Sequence, residues 1–141
     1  RKRGEVISLE RSRSLYEVGK EGLAALSGQD GEMTEALRRI QLLHADFRGF
    51  LETAAPNSFD VIYFDPMFRY PVKRKENNME GFRSAAVYDP LTEDVLQFAM
   101  RAARKKVIVK ERPFSALFRT GLFTEIHGKR GQTTAYGVIK L

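Results

Sequence analysis

Short apolar runs of strand length alternate along this chain with stretches that have helical periodicity, and this alternation restricts the possible folds more than any other feature. Residues 61–64 and 107–109 are almost continuously apolar, as strands are when helices cover both faces of a parallel sheet. The stretch 90–103 between them carries a single apolar stripe at helical spacing. Strand, helix and strand in this order predict an α/β fold with right-handed crossovers.

The N-terminal part of the chain fits the same fold. Residues 6–9 predict a strand that ends at Glu10, and residues 40–44 predict the next strand. The segment between these strands predicts a helix whose later part is weakened by Gly19 and Gly22. A parallel strand pair with a helical crossover is the expected result.

The C-terminal part adds a different connection. Residues 123–127 and 135–141 read as strands with no helix between them, which predicts an antiparallel hairpin at the edge of the sheet. A polar, basic connection over 68–89 has the length of a functional loop. We expect one domain over residues 1–141, with a mostly parallel sheet and a C-terminal antiparallel hairpin.

Composition narrows the class of protein. With 141 residues, of which 43% are hydrophobic, the chain has enough material for one folded core. The absence of cysteine excludes a disulfide framework and thiolate metal sites. No apolar run approaches the ~20 residues that span a bilayer. We therefore expect a cytoplasmic protein that has no membrane partner.

The net charge of +6 is unevenly distributed. Residues 71–141 contain fourteen basic and seven acidic side chains, whereas residues 1–70 are nearly balanced. A basic excess on one part of a protein attracts polyanions such as nucleic acids. A solvated surface that keeps the protein soluble explains the same charge, so both interpretations stay open at this point.

Three acidic residues follow successive predicted strands. They are Glu10, Asp46 and Asp65. Ligands of open α/β sheets bind at the carboxyl ends of the strands, which is where these side chains are expected. An acid after the first strand can accept hydrogen bonds from both hydroxyls of a ribose, and one after the second can lie beside a nucleobase edge. Acids in such places also cap the following helix, so the pattern alone does not decide.

The sequence Asp65-Pro66-Met67-Phe68 directly follows the apolar run 61–64. It resembles the Asp/Asn-Pro-Pro-aromatic motif of the S-adenosylmethionine-dependent amino-methyltransferases. An exocyclic amine is a poor nucleophile because its lone pair is delocalised into the ring. In the resemblance, Asp65 and the Pro66 carbonyl accept the two N–H bonds and direct the lone pair at the methyl group, while Phe68 stacks on the extruded base.

The resemblance extends in order over nearly the whole chain. The motif, the lysine-rich stretch that follows it and the segment 105–113 are similar to the small-subunit ribosomal RNA guanine-N2 methyltransferase J family. Residues 9–12 and 42–46 are similar to the same family. This resemblance implies a class I methyltransferase (Rossmann-like) fold and the cofactor S-adenosyl-L-methionine.

The resemblance also implies roles for individual residues. Glu10 would hold the ribose and Asp46 the adenine edge, so the cofactor site would comprise Glu10, Arg11, Asp46, Phe47 and Asp65. The catalytic residues would be Asp65, Pro66 and Phe68. Contacts with RNA would come from a basic group consisting of Arg69, Lys73, Arg74, Lys75 and Lys110. Lys110 has a second possible role, support of the active-site loop.

The family pattern begins with a strand and a glycine-rich loop for the methionine part of the cofactor, and neither occurs before Val6. We therefore expect a sheet without its first strand, in a domain truncated at its N-terminus. His44 and His127 have no partner ligands nearby in the sequence, so no metal site is expected. The predicted activity is methylation of a guanine amine in small-subunit ribosomal RNA, by direct transfer without a covalent enzyme intermediate. A methyltransferase for a small-molecule or protein substrate and a non-catalytic RNA-binding module are the alternatives.

Overall fold

Helices and strands alternate from Val6 to Lys140, as the α/β prediction requires. The structure is a computed structural model that describes residues 4–27, 31–66 and 91–141. These residues belong to two compact units, which meet in the sequence between Gly49 and Phe50. Each unit is built around its own parallel strand pair.

The described part of the first unit, up to His44, contains two parallel strands and two helices. Its elements are β1 (Val6–Glu10), α1 (Arg13–Ser27), α2 (Glu32–Arg38) and β2 (Ile40–His44). β1 and β2 pair in register from Val6 opposite Ile40 to Glu10 opposite His44. Both strands predicted for this part of the chain are thus confirmed.

Helix α1 continues through both of its glycines to Ser27, although the sequence predicted a weakened end. A Cβ atom at Gly19 would lie 2.9 Å from Cδ2 of Leu42 on β2. The missing side chain therefore lets the helix approach the strand closely. This packing favours a residue that otherwise has a poor helix propensity.

The second unit contains a four-stranded sheet in the order β3-β4-β6-β5. Its elements, after α3 (Phe47–Thr53) at the boundary, are β3 (Phe59–Phe64), α4 (Glu93–Ala102), β4 (Ala103–Glu111), a 3₁₀ helix (Ala116–Arg119), β5 (Glu125–His127) and β6 (Ala135–Lys140). β3 and β4 are parallel, whereas β6 runs antiparallel to both β4 and β5. The predicted hairpin is confirmed, and its second strand lies inside the sheet, between β4 and β5.

One face of this sheet forms the core of the second unit. Helix α4 packs against β4, and Val95 and Leu96 of the helix and Val107 and Val109 of the strand are all fully buried. The continuous apolar runs predicted strands that are covered on both faces. In the described part of the chain, however, the opposite face carries exposed side chains, among them Tyr63.

Glycine is required at position 137 of the central strand β6. A Cβ atom there would lie 2.4 Å from the ring of Phe123 and 2.7 Å from the ring of Phe118. These two rings make an edge-to-face contact with their centroids 5.2 Å apart. The aromatic pair therefore lies directly on the backbone of β6.

Candidate active site

The three predicted acidic residues do lie at the carboxyl ends of parallel strands. Glu10 is the last residue of β1, Asp46 is the second residue after β2, and Asp65 directly follows β3. Glu10 and Asp46 belong to the first unit and Asp65 to the second.

In the first unit, backbone hydrogen bonds fix the ends of β1 and β2 beside each other. The Ala45 N–H donates to the Glu10 carbonyl over 3.1 Å. Oε1 of Glu10 accepts a hydrogen bond of 2.9 Å from the Ser12 N–H. This local bond orients the half-buried carboxylate, and no further hydrogen bond to it occurs among the described residues. One oxygen is therefore held by the chain and the other is open to a ligand.

His44 supports the same turn in a way that the sequence analysis missed. Its Nε2 atom lies 2.9 Å from the carbonyl oxygen of Arg11, the residue after Glu10. Its ring stacks on Tyr16 of α1 with the centroids 5.3 Å apart. The only sequence-based prediction for this histidine was that it does not hold a metal ion. Its position opposite Glu10 in the parallel register is the signal that indicates a supporting role.

Asp46 directly precedes the helix that follows β2. Its Oδ1 atom accepts a hydrogen bond of 3.2 Å from the N–H of Arg48, and Phe47 is the first residue of α3. A carboxylate that accepts from the first turn of a helix is a typical helix cap. The capping role and a role toward a nucleobase use the same half-buried side chain, whose other oxygen has no described partner.

In the second unit, Asp65 forms an ion pair with Lys110. Nζ of Lys110 lies 3.2 Å from Oδ1 of Asp65. The Asp65 side chain is 54% exposed, whereas that of Lys110 is 30% exposed. Pro66, which follows Asp65, is half-buried. The ion pair thus joins the ends of two neighbouring parallel strands at the surface of the sheet.

The surroundings of this pair keep Lys110 charged. Burial acts to lower its pKa, but the hydrogen bond and the negative charge of Asp65 outweigh that effect and raise the pKa above its ordinary value. For Tyr63, burial and the Asp65 carboxylate raise the pKa of the phenol. At neutral pH Lys110 is therefore an ammonium ion and Tyr63 is a neutral phenol. Lys110 cannot act as a general base in this state.

Several of the predicted site residues lie outside the described part of the chain. They are Phe68, Arg69, Lys73, Arg74 and Lys75, together with the rest of the predicted connection 68–89. Within the described residues, the structure places Glu10 and Arg11 beside the end of β2, just before Asp46. It also places Asp65 beside Lys110. The contact between Asp65 and Lys110 was not predicted.

None of the described helices combines the length and the apolar composition needed to cross a membrane. No three acidic, histidine or cysteine side chains in the described ranges are grouped so that they could hold a metal ion.

The fold is that of a known class of enzymes. The crystal structure of a SAM-dependent methyltransferase from Neisseria gonorrhoeae matches this structure with a TM-score of 0.62 over 96% of this chain, at 18% sequence identity. The chain thus has the class I, Rossmann-like methyltransferase fold that the sequence predicted. The match covers 52% of the crystallised chain.

Residues 4–133 match the family described as "Putative SAM-dependent methyltransferase", and this chain belongs to that family. It is 31% identical over 137 residues to the uncharacterised protein YpiP of Bacillus subtilis, a match that covers 97% of this chain. It is also 31% identical over 144 residues to the ribosomal RNA small subunit methyltransferase J of Cellvibrio japonicus, over 94% of this chain. The matches cover 52% and 53% of these two proteins, so the chain spans about half their length.

Proposed function

We propose that this protein transfers a methyl group from S-adenosylmethionine to the exocyclic N2 amine of a guanine in small-subunit ribosomal RNA. The observation that carries the proposal is the carboxylate of Asp65, more than half exposed at the carboxyl end of β3 and followed by a proline. Similarity to a ribosomal RNA small subunit methyltransferase supports the class of substrate.

The described residues fit the ribose of the cofactor. A ribose offers two neighbouring hydroxyl donors, and the Glu10 carboxylate offers an acceptor oxygen that no described residue uses. The Ser12 N–H holds the other oxygen, so the acceptor is oriented before a ligand binds. Asp46, at the next strand end, would accept from the adenine amine, and Arg11 and Phe47 beside these acids would complete the contacts. We assign this edge of the first unit to the nucleoside part of the cofactor.

Asp65 would act on the target amine. One carboxylate oxygen is held by Lys110 and the other has no described partner, so it would accept an N–H of the guanine amine. The Pro66 carbonyl would accept the second N–H and Phe68 would stack on the base. Two acceptors turn the nitrogen away from the plane of the ring and make its lone pair available. Fixing this orientation supplies most of the expected rate gain.

When bound, S-adenosylmethionine would supply a methyl group on a positively charged sulfur: the amine nitrogen would take the methyl group, S-adenosylhomocysteine would leave with the electron pair of the S–C bond, and the amine would release one proton to the solvent. Asp65 stabilises the positive charge that develops on the nitrogen during this exchange. No covalent bond to the protein is required.

The net positive charge of the C-terminal half of the sequence favours an RNA substrate. Arg69, Lys73, Arg74 and Lys75 would contact the RNA backbone, and we propose the cytoplasm as the site of the reaction.

The test is a methyl-transfer assay with labelled S-adenosylmethionine and small ribosomal subunits that lack the modification. We expect incorporation into ribosomal RNA, at the N2 atom of a guanine when the nucleosides are analysed by mass spectrometry. Asp65→Ala should lower kcat by at least about a hundredfold, since it removes the side-chain acceptor at the reacting centre. Asp60→Ala is the matched control: it makes the same change on β3, at an exposed carboxylate that pairs with Arg104.

Three outcomes would contradict the proposal. Incorporation into small molecules or proteins, but not into RNA, would identify the other methyltransferase classes. RNA binding without a thermal shift on adding S-adenosylhomocysteine would indicate a non-catalytic RNA-binding module. Equal activity of the Asp65→Ala and Asp60→Ala variants would refute the role of Asp65.

A further inference from the structure

We propose that Lys110 is a positioning residue, whose ammonium group holds Oδ1 of Asp65 so that Oδ2 is presented to the substrate amine. This inference rests on the proposed function and adds a residue to the same site. It differs from the alternative in which Lys110 contacts an RNA phosphate.

The two partners differ in how firmly their backbones are held. Lys110 lies within β4, between strands that pair on both of its sides: Val109 is opposite Phe64 of β3, and Lys110 itself is opposite Tyr136 of β6. Asp65 lies beyond the last paired residue of β3. Among the described residues, the ion pair with Lys110 is the polar contact that orients the Asp65 carboxylate. Lys110, on a strand that is paired on both sides, therefore restrains the side chain of Asp65, whose backbone lies beyond the end of the sheet.

The geometry lets the two oxygens of the Asp65 carboxylate have different partners: Oδ1 contacts Lys110, and Oδ2 is available to the substrate amine. A carboxylate has two oxygens with several acceptor positions, and Lys110 occupies one of these oxygens at 3.2 Å. A charge-assisted hydrogen bond from a lysine acts on a single oxygen, so it restrains the position of Oδ1. The second oxygen then has fewer orientations available than in a carboxylate with no partner. An acceptor with a fixed orientation stabilises a developing charge without reorganising during the reaction.

The surroundings of Lys110 also favour this role over a phosphate contact. Its side chain is 30% exposed, and its charge interacts with Asp65, Tyr63 and Tyr136 in addition to the solvent. A lysine that neutralises an RNA phosphate contributes to affinity and to its salt dependence, since counterions are released on binding. A lysine that orients Asp65 contributes to kcat instead. The two roles therefore predict different kinetic effects.

The experiment compares Lys110→Met and Lys110→Arg with the wild type in the methyl-transfer assay. Lys140→Met is the control, because Lys140 is also a strand lysine in an ion pair, formed with Glu125. We expect Lys110→Met to lower kcat by about 10- to 100-fold, the cost of a misplaced reacting group. RNA affinity and its salt dependence should stay unchanged, and Lys110→Arg should recover part of kcat. Lys140→Met should behave like the wild type.

An unchanged kcat in Lys110→Met would overturn the proposal. So would a loss of RNA affinity with a salt slope reduced by about one at constant kcat, because that result identifies a phosphate contact. A wild type that methylates no RNA contradicts the proposed function instead. The ion pair is then tested by NMR titration of the lysine side chains: Asp65→Asn should lower the pKa of Lys110, and an unshifted titration overturns the positioning role independently of activity.

Discussion

Nζ of Lys110 and Oδ1 of Asp65 lie 3.2 Å apart, across the ends of two parallel strands that are neighbours in the sheet. β3 and β4 are separated in the sequence by about forty residues, yet their register brings Phe64 opposite Val109 and the two charged residues follow directly. The parallel register therefore places a charged side chain at the end of β4 within contact distance of a charged side chain at the end of β3.

This ion pair predicts that stability depends on pH in the alkaline range. The pKa of Lys110 is raised above its ordinary value of 10.5: burial opposes the shift, and the bond to Asp65 outweighs it. A raised pKa contributes stability that is fully present below pH 10.5 and is lost as the pH rises through the higher value of the folded state. Urea unfolding between pH 8 and pH 11.5 should therefore show a difference between wild type and Lys110→Met that shrinks with increasing pH. A constant difference would contradict the prediction.

Glu10→Gln should weaken the binding of S-adenosylhomocysteine by about 10- to 100-fold, since hydrogen bonds to charged groups contribute ~1.5–3 kcal/mol. The amide still accepts from the Ser12 N–H, so the turn should keep its shape and the melting temperature without ligand should change little. Isothermal titration calorimetry measures the affinity. Glu5→Gln, an exposed carboxylate just before the other end of β1, is the control and should bind normally. Equal losses in both variants would argue against a specific ribose contact.

His44 should stabilise the Glu10–Arg11 turn through two separable contacts. His44→Phe keeps a ring to stack on Tyr16 but removes the bond to the Arg11 carbonyl, whereas His44→Ala removes both. We expect both variants to bind S-adenosylhomocysteine more weakly, and His44→Ala to lose about 0.5–1.5 kcal/mol more stability because it also loses the aromatic stacking. Calorimetry and chemical denaturation measure the two effects. Normal cofactor affinity in both variants would show that the turn does not depend on His44.

Gly137→Ala should destabilise the second unit strongly. The new methyl group would lie 2.4 Å from the ring of Phe123, so the aromatic pair on β6 must move, and overpacking of this kind costs ~1–3 kcal/mol. Gly22→Ala is the contrasting case: it has open space in α1 and should stabilise by ~0.5–1 kcal/mol. Chemical denaturation measures both. Phe123→Leu should partly rescue Gly137→Ala in a double-mutant cycle, and strictly additive effects would refute the proposed clash.

The succession of elements could be predicted from local patterns. Hydrophobic periodicity indicated the strands at 6–9, 40–44 and 61–64. The absence of a helical pattern between the predicted strands 123–127 and 135–141 indicated the hairpin. The Asp-Pro motif after an apolar strand indicated the class of enzyme, and the family match agrees with it. Each of these signals depends on residues that are close in the sequence, where spacing translates directly into conformation.

The order of strands and the contacts of the site could not be predicted in this way. Nothing local to residues 135–140 indicates that the last strand lies inside the sheet, between β4 and β5. Glu10 was assigned to a ligand, but the support it receives through His44 and Arg11 arises from a parallel register between distant segments. Lys110 was assigned to RNA or to loop support, and its bond to Asp65 required the pairing of β3 with β4.

The sequence by itself determined which segments form strands and helices and which acids end the strands, because backbone preference and hydrophobic periodicity act within a few residues. The tertiary structure decided which strand ends are neighbours and therefore which charges meet. An ion pair such as Asp65–Lys110 depends on a distance of a few ångströms between residues far apart in the chain, and that distance is fixed only when hydrogen bonds set the register of the sheet.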